Sequence, residues 1–266
     1  MKKWLGIALT VAALLSALGA PWLAAHDPLR TDFAQSLKPP GAPGHPFGTD
    51  QLGRDLLARI LHGARLALFI GGCTVIVTAI VGGLLGLVAG FVERWPSTVL
   101  MRIVDVQLSF PFILLAMTIN AIVGLGLRNI ILSLSAAGWV VYARVVRGEV
   151  LSVKQRDYVQ AAAALGMGRM RLMFRHVLPN VAPSIVVVAS LQFSSFVVAE
   201  AAISFLGFGI QPPTPAWGSM LSESRDFLYV AWWLAAFPGA ALALTALGVN
   251  LLGDWLRDTL DPKLRV

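Results

Sequence analysis

Chemistry in this sequence has few places to start. Glu200 stands inside a long apolar run, where an ionised group costs at least about 2.5 kcal/mol unless it faces other helices, a partner or water. It is therefore the candidate for the lining of a translocation path, and the alternative is a carboxylate bonded to a neighbouring helix to fix packing. Asp105, close to Arg102, reads as a paired or solvated helix-end residue. The four histidines, His26, His45, His62 and His176, show no metal-ligand spacing on any one helix and read as loop or interface residues. Cys73 has no partner and lies in an apolar stretch, so neither a disulfide framework nor a thiolate metal site is expected. None of the five lysines is followed by Ser or Thr, which a phosphate-binding loop would need to hold phosphate and Mg²⁺. No cofactor, metal or catalytic pair is expected from these residues.

The elements that position these groups are set by the solvent. Of the 266 residues, 57% are hydrophobic and 13% charged, against about 45–50% apolar and about 25% charged in soluble domains. A helix of about 20 residues crosses roughly 30 Å of hydrocarbon. Runs of that kind lie near 4–24, 65–91, 103–125, 129–147, 182–208 and 229–252, the fourth diluted by Ser133, Ser135, Gly138 and Arg144. The fold class is all-α, a polytopic transmembrane bundle of about six spans. Trp232 and Trp233 open the last run and read as members of an aromatic belt.

A net charge of +7 could suggest nucleic acid, but the basic residues cluster in particular loops. With the N-terminus inside, Arg30, Lys38, Arg54, Arg59, Arg65, Arg128 and Arg225 lie outside and the other 14 of the 21 Lys and Arg lie inside, as the positive-inside rule requires. Lys2 and Lys3 before an apolar run also resemble a signal peptide, but the run is long enough to serve as a retained anchor.

Residues 26–50 are rich in Pro, Gly, Asp and His and read as an irregular external segment. Beyond them Leu52, Leu56, Leu57, Ile60 and Leu61 share one helical face, with Arg54, Asp55, Arg59 and His62 towards the other. That pattern predicts a short helix lying in the interface. The long loop after the fourth run predicts two short helices. The first is the alanine-rich stretch from Tyr158, ended by a left-handed Gly166, and the second carries Arg169, Arg171 and Arg175 until Pro179 stops it. A helix faced with alanine is flat and suits close docking into a groove on another protein.

Gln160-Ala161-Ala162, then Gly166, then His176-Val177-Leu178-Pro179 resembles the cytoplasmic motif of binding-protein-dependent ABC transporter permeases: Glu-Ala-Ala, three residues, Gly, nine residues, Ile, any residue, Leu-Pro. Gln160 replaces the glutamate and His176 the isoleucine, which leaves the helix and its docking face in place. His45-Pro46-Phe47-Gly48-Thr49-Asp50-Gln51-Leu52-Gly53-Arg54-Asp55 is similar to a signature of the dipeptide, oligopeptide and nickel branch, C-type subunit. So are Ala199-Glu200-Ala201-Ala202-Ile203-Ser204-Phe205-Leu206-Gly207, Gln211-Pro212-Pro213-Thr214-Pro215-Ala216-Trp217-Gly218, and Asn250-Leu251-Leu252-Gly253-Asp254 with Leu260-Asp261-Pro262.

The resemblance implies the type I ABC importer permease fold in a bacterial cytoplasmic (inner) membrane. It implies a second permease subunit, cytoplasmic ATP-binding-cassette ATPases that hydrolyse the ATP, an external solute-binding protein, and a peptide or similar small solute. Tyr158, Gln160, Ala161, Ala162, Gly166, Leu178 and Pro179 would couple the chain to the ATPase. The organisation becomes an anchor span (1–25), an external segment with an interfacial helix (26–63), a permease domain (64–252) containing the coupling loop (150–180), and a cytoplasmic tail (253–266). A self-sufficient secondary transporter would show internal repeats and central charged pairs, and neither is found.

Topology follows from the charge split: residues 26–62 and 209–226 are expected outside, residues 150–178 inside. In a Cys73→Ala background, His45→Cys should react with an impermeant thiol reagent added from outside. Labelling from the cytoplasmic side alone would overturn the six-span arrangement.

Overall fold

The computed structural model describes residues 2–92 and 95–260. Regular structure among them is helical, apart from two isolated bridges that pair Ala42 with His45 and Thr49 with Asp55. In chain order the helices are α1 (Lys2–Leu23), α2 (Leu56–Phe91), α3 (Trp95–Leu108), α4 (Phe112–Val123), α5 (Leu127–Lys154), α6 (Asp157–Ala164), α7 (Arg169–Leu172), α8 (Leu178–Phe205), α9 (Trp217–Glu223) and α10 (Trp233–Leu260). Five elements are long and apolar enough to cross a membrane: α1, α2, α5, α10, and the 37-residue run Arg169–Phe205 that contains α7 and α8.

The run near 103–125 is not a straight span. α3 and α4 meet at 95°, and at about 1.5 Å per residue neither is long enough to cross roughly 30 Å alone. The break has a local cause. Pro111 has no N–H to continue α3 and disfavours helical backbone at Phe110, so it becomes the residue that opens α4. Gly124, at φ +104°, then ends α4.

The separate interfacial helix is also absent, because residues 56–62 are the first turns of α2. Asp55 caps that helix by accepting the Ala58 N–H at 2.7 Å. Arg59, expected on the watery side, is 1% exposed, since its guanidinium finds carboxylates on the inner side. Trp233 is likewise 6% exposed and donates to the Thr49 carbonyl at 3.2 Å, so Trp232 alone of the pair is exposed. The expected tail is helical as far as Leu260, and residues 261–266 lie outside the described residues.

The bundle is centred on α2, which packs against α1, α5, α8 and α10. Its seam with α5 is made by Gly82, Gly86 and Gly90, four residues apart on one face. A Cβ at Gly86 would lie 2.6 Å from the Ala143 carbonyl oxygen, one at Gly90 2.6 Å from Val150 Cβ, and one at Gly82 would overlap the Trp139 carbonyl. Lipid is as apolar as leucine, so helices associate through such close packing rather than hydrophobic burial.

Outside the bundle, the segment before α2 is pinned by backbone bonds such as Asp32 N–H to Leu52 O and Leu37 N–H to Asp50 O, both 3.0 Å. Gly53, at φ +72°, permits the first of these approaches, for any side chain there would strike the Asp32 carbonyl. Phe47 stacks on Phe237 of α10 at 4.4 Å, and Trp217 of α9 donates to the Ile60 carbonyl at 3.1 Å.

Gly86→Leu should lower the thermal midpoint of the detergent-solubilised protein, corresponding to an overpacking cost of roughly 1–3 kcal/mol or more. Gly148→Leu, in α5 with nothing within 4 Å of the added Cβ, should not. Equal midpoints in the two variants would remove the glycine seam as a source of stability.

Candidate functional site

The segment between α5 and α8 is docked on one face and bare on the other. Val159 of α6 is 2% exposed and joins Leu87 of α2, Val146, Val150 and Val153 of α5, and Val177 and Val181 at the start of α8 in one apolar cluster, with Ala162, Met167 and Leu178 packed against it. α6 is thereby seated across the ends of three long helices. Lys154 adds a polar tie, its ammonium donating to the last carbonyls of α2 at Gly90 (3.4 Å) and Phe91 (3.3 Å).

The turn after α6 has the full pattern of a Schellman cap. The Gly166 N–H donates to Ala163 O at 3.0 Å, the Met167 N–H donates to Ala162 O at 3.2 Å, and Gly166 takes φ +84°. A residue with a Cβ would pay roughly 1 kcal/mol or more in that conformation. The outer face holds Tyr158, Gln160, Ala161 and Leu165, the last 89% exposed, with Met170 of α7 at 66% nearby in sequence. Gln160 donates to the Gln155 carbonyl at 3.3 Å, a bond within the segment's own entry turn.

Pro179 does not end a helix here. α7 passes through a π turn (Met173–Val177) directly into α8, where Pro179 occupies the first turn. A first-turn residue needs no N–H bond, and the wider turn before it accommodates the ring. Of the residues expected to couple, Tyr158, Gln160, Ala161, Gly166 and Pro179 are exposed. Ala162 and Leu178 are half-buried and turned towards the cluster.

Glu200 is remote from this segment, 21 residues beyond Pro179 on α8, or roughly 30 Å along the axis. It is 1% exposed, and its Oε1 accepts the Ser204 hydroxyl at 2.7 Å. The Ser204 hydroxyl in turn accepts the Ile210 N–H at 3.0 Å, closing the turn after α8. The carboxylate's bond therefore runs one helical turn along α8 rather than to a neighbouring helix. Glu200 does not line the large apolar cavity of about 530 Å³ bounded by Ile103, Val106 and Gln107 of α3, Phe110, Ile119 of α4 and Ala136 of α5. Asp105 is paired as expected, although with Arg144 of α5.

Two clusters escaped the reading of the sequence. Arg54 and Arg59 share Asp50 and Glu223: Arg54 Nε lies 2.6 Å from Asp50 Oδ2, Arg54 Nη2 3.0 Å and Arg59 Nη1 3.1 Å from Glu223 Oε2, and Arg59 also bonds Asp50. This network joins the external segment and the start of α2 to the end of α9. The i,i+4 spacing of Asp50 and Arg54 was its one local signal. His26 and His45 stack at 4.8 Å beside Asp55, a grouping that no spacing along one helix could announce.

Membrane-length helices around a glycine-seamed mast, with a short helix seated across their ends, define a multi-pass membrane protein. The chain belongs to the binding-protein-dependent transport system inner membrane component family, whose model matches residues 82–266. It is 44% identical over 265 residues to the di/tripeptide transport system permease protein DppC of Pseudomonas aeruginosa, covering 98% of this chain and 88% of the relative. To the dipeptide transport system permease protein DppC of Escherichia coli it is 42% identical, again over 98% of this chain and 88% of the relative. Similarity to the glutathione transport system permease protein GsiD of Pectobacterium atrosepticum is 44% over 83% of this chain and 73% of the relative. The protein is a multi-pass inner membrane component of a transport system.

Removing one partner from a buried ion network strands the others, at a cost of about 3–5 kcal/mol. Arg59→Met should therefore lower the thermal midpoint strongly, whereas Arg30→Met, on the exposed segment, should leave it unchanged. Matching midpoints would show that the network adds nothing to stability.

Proposed function

We propose that this chain is the permease subunit of a peptide importer, that it forms the translocation path with a second permease, and that ATP is hydrolysed by partner subunits docking on α6. The observation that carries the reading is the two-sided seating of α6, with Val159 fixed among the ends of α2, α5 and α8 while Ala161 and Leu165 stay bare. A push on the bare face would reach three long helices at once. The continuity of α7 with α8 through the π turn supports transmission along a single rod.

Relatives named for di- and tripeptide, dipeptide and glutathione transport support a peptide solute, delivered by an external binding protein. The excess of basic residues on the α6 side supports a cytoplasmic position for that helix. The second permease has a fitting surface in α3 and α4, where Ile103, Val106 and Phe110 are exposed at the large cavity and Leu114 and Ile122 are exposed on α4. ATP binding would close the ATPases, displace α6 and open the bundle outward, a rocking form of alternating access. Sealed beneath the turn after α8, Glu200 would join the path when that turn parts from its helix.

Ala161→Glu puts a charge on the docking face without touching the inner cluster, and Gly166→Val strains the cap. Both variants should insert and pair with the second permease, retain less ATPase on co-purification and lose peptide uptake. Full ATPase retention with normal solute-stimulated hydrolysis in both would refute the coupling role of α6. Ala162→Glu is a poorer probe, because Ala162 faces the cluster and its replacement would also disturb folding.

A further inference from the structure

We propose that His26, His45 and Asp55 form a binding site for a divalent transition-metal ion of the zinc type, stapling the external segment to the start of α2. The Asp55 carboxylate is 3% exposed, and its ion-pair partners among the described residues are these two imidazoles, with no guanidinium beside it. Asp50 and Glu223 nearby are each met by two arginines. A buried carboxylate needs a partner that offsets its charge, and the side chains that face this one are two imidazoles.

The donors already converge. Asp55 Oδ2 lies 2.8 Å from His45 Nδ1 and 3.9 Å from His26 Nδ1, and the three donor atoms fall within 4.8 Å of one another. Around a tetrahedral zinc ion with bonds of about 2.0–2.2 Å, neighbouring donors sit roughly 3.3–3.5 Å apart, so small side-chain rotations would seat the ion. One imidazole can share a proton with Oδ2, but the second is then too far for a hydrogen bond, and a metal ion would use both. The other carboxylate oxygen, Oδ1, is held by the Ala58 N–H at 2.7 Å, which orients Oδ2 towards the rings as an outer-shell bond does in established metal sites. Two imidazoles and one carboxylate favour borderline ions over Ca²⁺ or Mg²⁺, which take oxygen donors. His26 and His45 are only half-buried, leaving a route for the ion and room for water as a fourth ligand.

The site would tie together three places that the chain alone leaves far apart. His26 follows α1, His45 lies in the irregular segment and Asp55 caps α2.

The test is zinc titration of the full-length chain, purified in detergent with a tag that contains no histidine and washed with EDTA. One zinc per chain should survive desalting, and zinc should raise the thermal midpoint while equal Ca²⁺ or Mg²⁺ does not. His26→Ala and His45→Ala should each weaken binding at least about tenfold, and the double variant should retain no zinc. Asp55→Asn keeps an oxygen for the α2 cap while losing the charge, so it should fold and yet bind at least about tenfold more weakly. His62→Ala and His176→Ala should bind as the parent does. Failure of the parent to retain zinc would overturn the proposal and leave an imidazole–carboxylate hydrogen bond only. Undiminished zinc in the double variant would overturn it equally. Each variant's zinc-induced shift is read against its own metal-free midpoint, so a loss of basal stability does not obscure the result.

Discussion

Helices in lipid gain little by hiding apolar surface from one another, so what gathers them is backbone approach and polar bonding. In this protein that constraint falls on α2. Gly82, Gly86 and Gly90 bring it against the α5 backbone, Gly71 accommodates Val197 of α8 at 2.8 Å from where a Cβ would lie, and Gly63 accommodates Trp217 of α9 at the same distance. One helix thus carries close approaches to three others. Both ends of α2 are also fastened, at one end by the Asp55 cap and the Arg59 ion pairs, at the other by Lys154 on its last carbonyls. The peripheral helices depend on this mast. α3 and α4 have less of it to grip, and they are where the bundle bends and where a large apolar cavity opens.

Much of this was readable in the residues, and the misses have two causes. Long spans were legible because a membrane imposes a length, and Gly166 because a helix end is decided by a few adjacent residues. The positions of Arg59 and Trp233 were not, since amphipathic patterning assumes that a polar edge faces water and an aromatic belt assumes that a tryptophan at a span's end faces the membrane interface. Each instead meets a polar partner distant in sequence: Glu223 lies 164 residues from Arg59, and Thr49 lies 184 residues from Trp233. Pro179 was misread for a different reason. Proline forbids a helix interior but suits a helix start, and which applies depends on whether the preceding turn widens. The bend at Pro111 is the converse, a proline inside an apolar run long enough to pass for one span.

The candidate coupling segment and Glu200 also differ in kind. α6 has a surface that stays open in the isolated chain, while Glu200 is enclosed by the turn it helps to close through Ser204. Its bare face needs no rearrangement to be reached. Glu200 is reached only by rearrangement of α8 and its turn.

The ion network also sets an order on biogenesis. Asp50, Arg54 and Arg59 leave the ribosome well before Glu223, which follows Arg59 by 164 residues. At about 5–20 residues per second that interval is roughly 8–30 s. Through it, two arginines share a single carboxylate while α5 and α8 are being made. This ion network is consequently completed late, although its first half is among the earliest synthesised. A chain truncated before Glu223 would keep α1, α2, α5 and α8 and yet leave two arginines to share one carboxylate.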